Sequence, residues 1–126
     1  MSHILPTEEQ FENLHAIPDD APLVMVNMLR FKPEGGEALY DRYSQLALKI
    51  LDKIGASVIY YGSDIQTFIG EDAWDVILLV QYPSRSVFVK MLADNEYLEV
   101  SQYRTEALED SRLYVTRPHG GAWDNR

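Results

Sequence analysis

Cysteine is absent from the 126 residues, which excludes a disulfide framework, a thiolate nucleophile and a cysteine-held iron–sulfur cluster. Basic residues are scarce: 11 Lys and Arg stand against 20 Asp and Glu, for a net charge of −9. A surface of that sign repels phosphate backbones and anionic lipid, so neither nucleic acid nor a membrane is an expected partner. No apolar run is longer than Val76-Ile77-Leu78-Leu79-Val80, far short of what crosses a bilayer. The start, Met1-Ser2-His3, lacks the basic-then-apolar order of a signal peptide, and the expected location is cytoplasmic. There is no G-x-G-x-x-G, no P-loop and no G-x-S-x-G nucleophile turn, so no cofactor is expected. The three histidines, His3, His15 and His119, stand apart without metal-ligand spacing, and no metal site is expected.

What remains is ordinary globular material, 46% hydrophobic and 11% aromatic, in a length that makes one domain. Thr7 with Gln10 three residues on forms a capping box for a short helix carrying Phe11 and Leu14, which ends before Pro18. Residues 23–31 read as a strand with apolar side chains on both faces. After a loop with Pro33 and Gly35-Gly36, the apolar residues Leu39, Tyr43, Leu46, Ala47, Ile50 and Ile54 recur at helical spacing, with Gly55 as the stop. Residues 57–61 form a second strand, expected to continue with an irregularity at Gly62 through 65–69. Residues 73–82 alternate clearly as a third strand. Ser84 caps a helix to Ala93, the chain breaks at Asp94-Asn95, and a second helical piece runs to about Leu108. A last strand is expected near 112–116, stopped by Pro118.

Strand–helix–strand–strand–helix–strand is the split βαβ order. It predicts an α+β, ferredoxin-like βαββαβ domain with a four-stranded antiparallel sheet and helices on one face. The expected boundaries are an N-terminal helical extension at 1–21, the domain at 22–118 and a polar tail at 119–126. An antiparallel sheet covered on one side normally shows water a polar second face. Here the strands at 23–31 and 76–80 are apolar on both. Either the second face pairs with an identical sheet in a two-fold homodimer, or a monomer carries scattered exposed apolar residues.

Polar residues at core positions are the candidates for chemistry. Asn27 shares a strand face with Leu23, Met25 and Leu29, so its amide needs partners. Asp75 shares a face with Ile77 and Leu79. Arg104 lies on a helical stripe with Tyr97, Val100, Ser101 and Leu108. A buried guanidinium must be paired. One reading is an internal salt bridge from Arg104 to Asp75 or to Glu109/Asp110. The other is that Arg104, with tyrosines nearby, holds the carboxylate or enolate of a small ligand between sheet and helices. Eight tyrosines are present, and Tyr97 is the first choice for such a pocket because it shares the Arg104 stripe.

Four blocks carry a family pattern: "PLVMVNMLRF" (22–31), "GGEALYDRY" (35–43), "WDVILLVQYPSRSVFVKMLADNEY" (74–97) and "YRTEALEDSRL" (103–113). Together they resemble the DUF1330 family of small dimeric α+β barrel proteins. The resemblance implies a ferredoxin-like protomer whose sheet pairs with that of a second protomer. It also implies kinship in fold with antibiotic-biosynthesis-type monooxygenases, whose substrates lie between sheet and helices. Asn27, Arg30, Tyr40, Tyr43, Trp74, Ser84, Arg85, Tyr97 and Arg104 are the polar or aromatic members of the matching blocks. The chain departs from the pattern at Tyr103-Arg104, where His-Arg is expected.

Two functions follow as expectations. One is a cofactor-independent oxygenase- or isomerase-like enzyme in which Asn27, Tyr97 and Arg104 stabilise an enolate and Asp75, raised by burial, is the base. The other is a non-catalytic dimer that binds a ligand or another protein, with Arg104 in an internal salt bridge. The expected ligand is a small acidic or aromatic metabolite, and the expected binding residues are Asn27, Arg30, Tyr43, Trp74, Tyr97, Tyr103 and Arg104.

Overall fold

Alternation along a strand sends successive side chains to opposite faces. In β1 (Leu23–Phe31), Leu23, Met25, Asn27 and Leu29 turn inward and are buried, while Val26, Met28 and Arg30 turn outward and are half-buried. A computed structural model describes residues 2–120 and gives the order α1 (Glu8–His15), β1, α2 (Gly36–Lys53), β2 (Ser57–Gly62), β3 (Val76–Tyr82), α3 (Arg85–Ala93), α4 (Asn95–Ala107), β4 (Leu108–Thr116). The four strands form one sheet in the order β2-β3-β1-β4, every neighbour antiparallel. This is the ferredoxin-like arrangement, with α1 added in front. Most of the expected tail lies outside the described residues.

Local signals set the helix ends. Thr7 and Gln10 make the reciprocal capping box of α1. Gly35, at φ +78°, supplies the left-handed residue that starts α2, and a Cβ on Gly36 would lie 2.6 Å from the Ala107 carbonyl oxygen. Ser84 caps α3 by accepting from the Val87 N–H. Asp94 ends α3 and caps α4, its carboxylate accepting from the Glu96 N–H.

Three boundaries differ from the sequence expectation. β2 stops at Gly62, and Phe68 and Ile69 stand out in solvent in the connection to β3, because no strand pairs with that segment. β3 starts at Val76, since the Asp75 N–H donates to the Leu29 carbonyl while its side chain accepts from the Phe31 N–H. β4 starts at Leu108, directly after α4: Leu108 pairs with Phe31 across a bulge, and the Ala107 carbonyl accepts from the Lys32 N–H at 2.9 Å.

The core clusters lie on the inward face, although Val24 on the outward face is also buried. One cluster joins Leu23, Met25, Val80 and Tyr82 to Ile50, Phe88, Met91, Tyr97 and Val100. A second joins Leu29 and Val76 to Tyr40, Ala107 and Leu108. Neither includes an outward residue such as Val26, Met28, Ile77 or Leu79, all half-buried.

Candidate functional site

Polar groups on the inward face collect in one seam between the sheet centre and the α2–α4 pair. Asn27, 7% exposed, donates from Nδ2 to the Leu78 carbonyl and accepts at Oδ1 from Arg104 Nη2, both at 3.4 Å. Arg104 comes from α4, as does Tyr97 seven residues earlier, so the helical stripe read from the sequence does face the sheet. The Tyr97 and Tyr43 hydroxyls are 2.8 Å apart. The aromatic row continues through Tyr40, 5.3 Å from Tyr43 between ring centres, to Phe31 at 5.4 Å from Tyr40.

Two phenols of this seam, Tyr40 and Tyr43, stay protonated far into the alkaline range. Burial pushes Tyr40 up to about 12, with the charge of Arg104 pulling the other way. Burial, reinforced by Tyr97 and Tyr40, pushes Tyr43 well above its ordinary value, and burial raises Tyr82 likewise. At neutral pH the seam therefore offers hydroxyl donors beside a guanidinium.

Arg104 has no carboxylate partner among the described residues. This corrects the expected internal salt bridge, and topology supplies the reason. Asp110 pairs in register with Arg30 on the outward face, while Arg104 serves the inward one. Asp110 takes Arg112 Nη1 at 2.9 Å and Arg30 Nη1 at 3.6 Å. Burial pushes its carboxyl up, but hydrogen bonds from the His3 and Ser111 N–H groups and from Arg112 outweigh that and hold it below the usual range. Glu109 is exposed. Asp75 is exposed as well, which overturns its expected place as a buried base: it lies at the open end of the sheet, before the strand begins.

The remaining candidates lie apart from the seam. Arg30 donates twice to the Ala73 carbonyl, at 3.1 and 2.7 Å, and its guanidinium lies 4.9 Å from the Trp74 ring centre, with that of Arg112 at 5.1 Å. Tyr103 sits 6.0 Å from the Arg42 guanidinium. Thus the structure brings Asn27, Tyr43, Tyr97 and Arg104 together, places Arg30 and Trp74 in a second cluster, and leaves Tyr103 and Asp75 outside both. Tyr40 is the seam residue missing from the expected binding set. Its spacing of three from Tyr43 and seven from Ala47 was the available signal.

An open groove of about 920 Å³ lies at the end of the sheet, with Arg30, Trp74, Tyr61 and the start of α2 in its walls. It does not contain Arg104, but it includes Phe31, the last ring of the aromatic row, and Tyr61 lies close enough to influence Tyr40. Groove and aromatic row therefore meet at Phe31.

Residues 35–117 match the family model described as "Domain of unknown function (DUF1330)". No curated protein matches the chain. Among solved structures, the protein of unknown function RPA0582 from Rhodopseudomonas palustris is 30% identical, with a TM-score of 0.91 over 96% of this chain and 100% of that one. Two more distant structures share the fold. A putative antibiotic biosynthesis monooxygenase from Bacteroides thetaiotaomicron is 13% identical, with a TM-score of 0.60 over 84% of this chain and 97% of that one. A dimeric protein of unknown function and ferredoxin-like fold from Bacteroides fragilis is 8% identical, with a TM-score of 0.55 over 75% and 93%. With most of the chain inside the family model and a 30%-identical relative matched over its whole length, the chain belongs to the DUF1330 family.

Proposed function

We propose that this protein is a homodimer in which each copy, through residues 22–118, binds a small oxygen-bearing anion in the seam, with Arg104 as the anchor. The observation that carries the ligand reading is the half-buried Arg104 guanidinium, without a carboxylate partner among the described residues, beside neutral tyrosine hydroxyls. A desolvated guanidinium gains most from an anion with two oxygens. The aromatic row Phe31–Tyr40–Tyr43–Tyr97 favours a ligand with a planar apolar body, hence a small aromatic carboxylate or enolate. The open groove reaches the row at Phe31, which is the side from which a ligand would enter.

The homodimer reading rests on the outward face, where Val26, Met28, Ile77 and Leu79 are apolar and no core cluster covers them. A distant neighbour of the same fold is described as dimeric, which agrees with it. Chemically, fixed donors of this kind stabilise an enolate as well as a carboxylate. An oxygenase- or isomerase-like reaction is therefore within the reach of Arg104, Tyr97 and Asn27, and a turnover assay on enolisable aromatic substrates separates enzyme from binder.

The test is native mass spectrometry of the purified protein, followed by titration with benzoate and salicylate as probes. A dimer that binds these probes, and an Arg104→Leu variant that keeps its fold but loses the binding, is the expected result. Undiminished binding by Arg104→Leu overturns the anchor role. Sedimentation as a monomer at micromolar concentration overturns the homodimer.

A further inference from the structure

Among the described residues, the most exposed large apolar side chains are Phe68 and Ile69, 91% and 87% exposed, side by side in the connection between β2 and β3. Residues 63–75 are long for a link between two paired strands, and connections of that length usually have a task. This one is built into a defined shape. Thr67 Oγ1 donates to the Asp72 carbonyl at 3.0 Å, closing the tip, and Gly70 at φ +112° takes a backbone conformation that a side chain would strain. At the base, Arg30 grips the Ala73 carbonyl with two hydrogen bonds, and Trp74 lies against Arg30 and Arg112.

Arg30 and Arg112 belong to the outward face, opposite the helices: Arg30 follows Val26 and Met28 along β1, and Arg112 pairs with Met28. The arm is therefore anchored on the side where Val26, Met28, Ile77 and Leu79 lack cover. Its base at Ala73 and Trp74 thus meets the edge of the apolar face through Arg30 and Arg112.

The face by itself is modest beside an interface of standard size. Four strands, seven residues deep in β3, span about 20 by 24 Å, or about 480 Å² in projection. A stable interface of standard size buries about 800 Å² on each partner. Burying one aromatic side chain adds about 150–250 Å² of accessible surface, so Phe68 with Ile69 would enlarge the buried area of each partner appreciably. Two sheets stacked about 10 Å apart also leave the ends of the slot between them open to water. An arm rooted at one end of each sheet is placed to cover such an opening.

We infer that the 63–75 arm is a dimerisation element, and that Phe68 and Ile69 of each copy pack against a second copy of this chain at the end of the paired sheets. The inference rests on the homodimer reading above and adds to it the residues that lock the pair.

Two measurements test it on the full chain. Sedimentation of the unaltered protein, of Phe68→Asp/Ile69→Asp and of Met28→Glu gives the dimer affinity, with circular dichroism reporting the fold. The arm substitutions touch only exposed positions, so the expected result is an intact fold with a dimer Kd raised about tenfold or more. Separately, a benzophenone amino acid at position 68 of the otherwise unaltered chain is illuminated and its cross-links are mapped. Cross-links to the second copy support the inference. A dimer that Met28→Glu weakens but the arm substitutions leave unchanged, with no cross-link between copies, overturns the arm and keeps the paired sheets. A monomeric unaltered protein overturns both. Cross-links or flotation that appear only with phosphatidylcholine/phosphatidylglycerol vesicles give the tip to a lipid surface and overturn the inference.

Discussion

Two sets of arginines sit on opposite faces of the same sheet, and they are treated differently. On the outward face, Arg30 and Arg112 share Asp110 and lie against the Trp74 ring, so each charge is answered within the chain. On the inward face, Arg104 meets, among the described residues, only the carbonyl oxygen of Asn27 at 3.4 Å and a row of neutral phenols. The first arrangement is complete and holds the end of the sheet together. The second carries an unanswered positive charge, which is what a site for an anion requires. A family match alone would not have separated the two, because Arg30 and Arg104 both lie in the blocks that resemble the family.

The sharpest way to break this comparison is to remove the shared carboxylate. Asp110→Asn leaves two arginines facing each other, and we expect a loss of about 3–4 kcal/mol in urea unfolding, near the lower end for a buried pair because the arginines are one-third exposed. The sign with pH follows from its lowered value. The stability that Asp110 contributes is present above the ordinary carboxyl pKa of 3.8 and is lost as pH falls through the folded-state value. The acid limb of the stability curve should therefore flatten in Asp110→Asn.

The seam responds at the other end of the pH scale. An unfolded Tyr40 ionises near 10.0, whereas the folded one holds its proton to about 12. Stability should fall by roughly 3 kcal/mol through that window, and Tyr40→Phe should abolish that share of the loss in thermal melts between pH 9 and 12. Arg104→Leu is expected to change stability by less than about 1 kcal/mol, since no ion pair is lost, while abolishing benzoate binding. A loss of several kcal/mol there would make Arg104 structural and erase the contrast. A similarly small effect on stability, with none on binding, should come from Arg112→Lys. It keeps the charge beside Asp110 but gives up the planar contact with Trp74, for about 0.5–1 kcal/mol in the same unfolding experiment.

Much of the fold was legible because its signals are local. The capping box at Thr7–Gln10, the glycine after α2, the Ser84 cap and the Asp94 break were all read from neighbouring residues and all stand. Strand ends were less legible. β4 begins at Leu108 because Phe31 and Lys32, far away in sequence, pair with that stretch, and helical periodicity carries no information about such a partner. Of the site, periodicity found the Tyr97–Arg104 stripe and the inward Asn27. It placed Asp75 among apolar neighbours because alternation was extended past the true start of β3.

The sequence by itself determined the order of helices and strands, the two-sided apolar pattern of β1 and β3, and the presence of an arginine on a core-facing stripe. These depend on spacing along one chain, where the periods of helix and strand act. Only the tertiary structure decided which carboxylate answers which arginine. Asp110 lies six residues from Arg104 in the chain, yet the passage from α4 into β4 turns it to the opposite face of the sheet. There Arg30 and Arg112 take its charge and Arg104 keeps its own. Ion pairing acts through a few ångströms of space, and that distance is set by the fold rather than by the interval in the sequence.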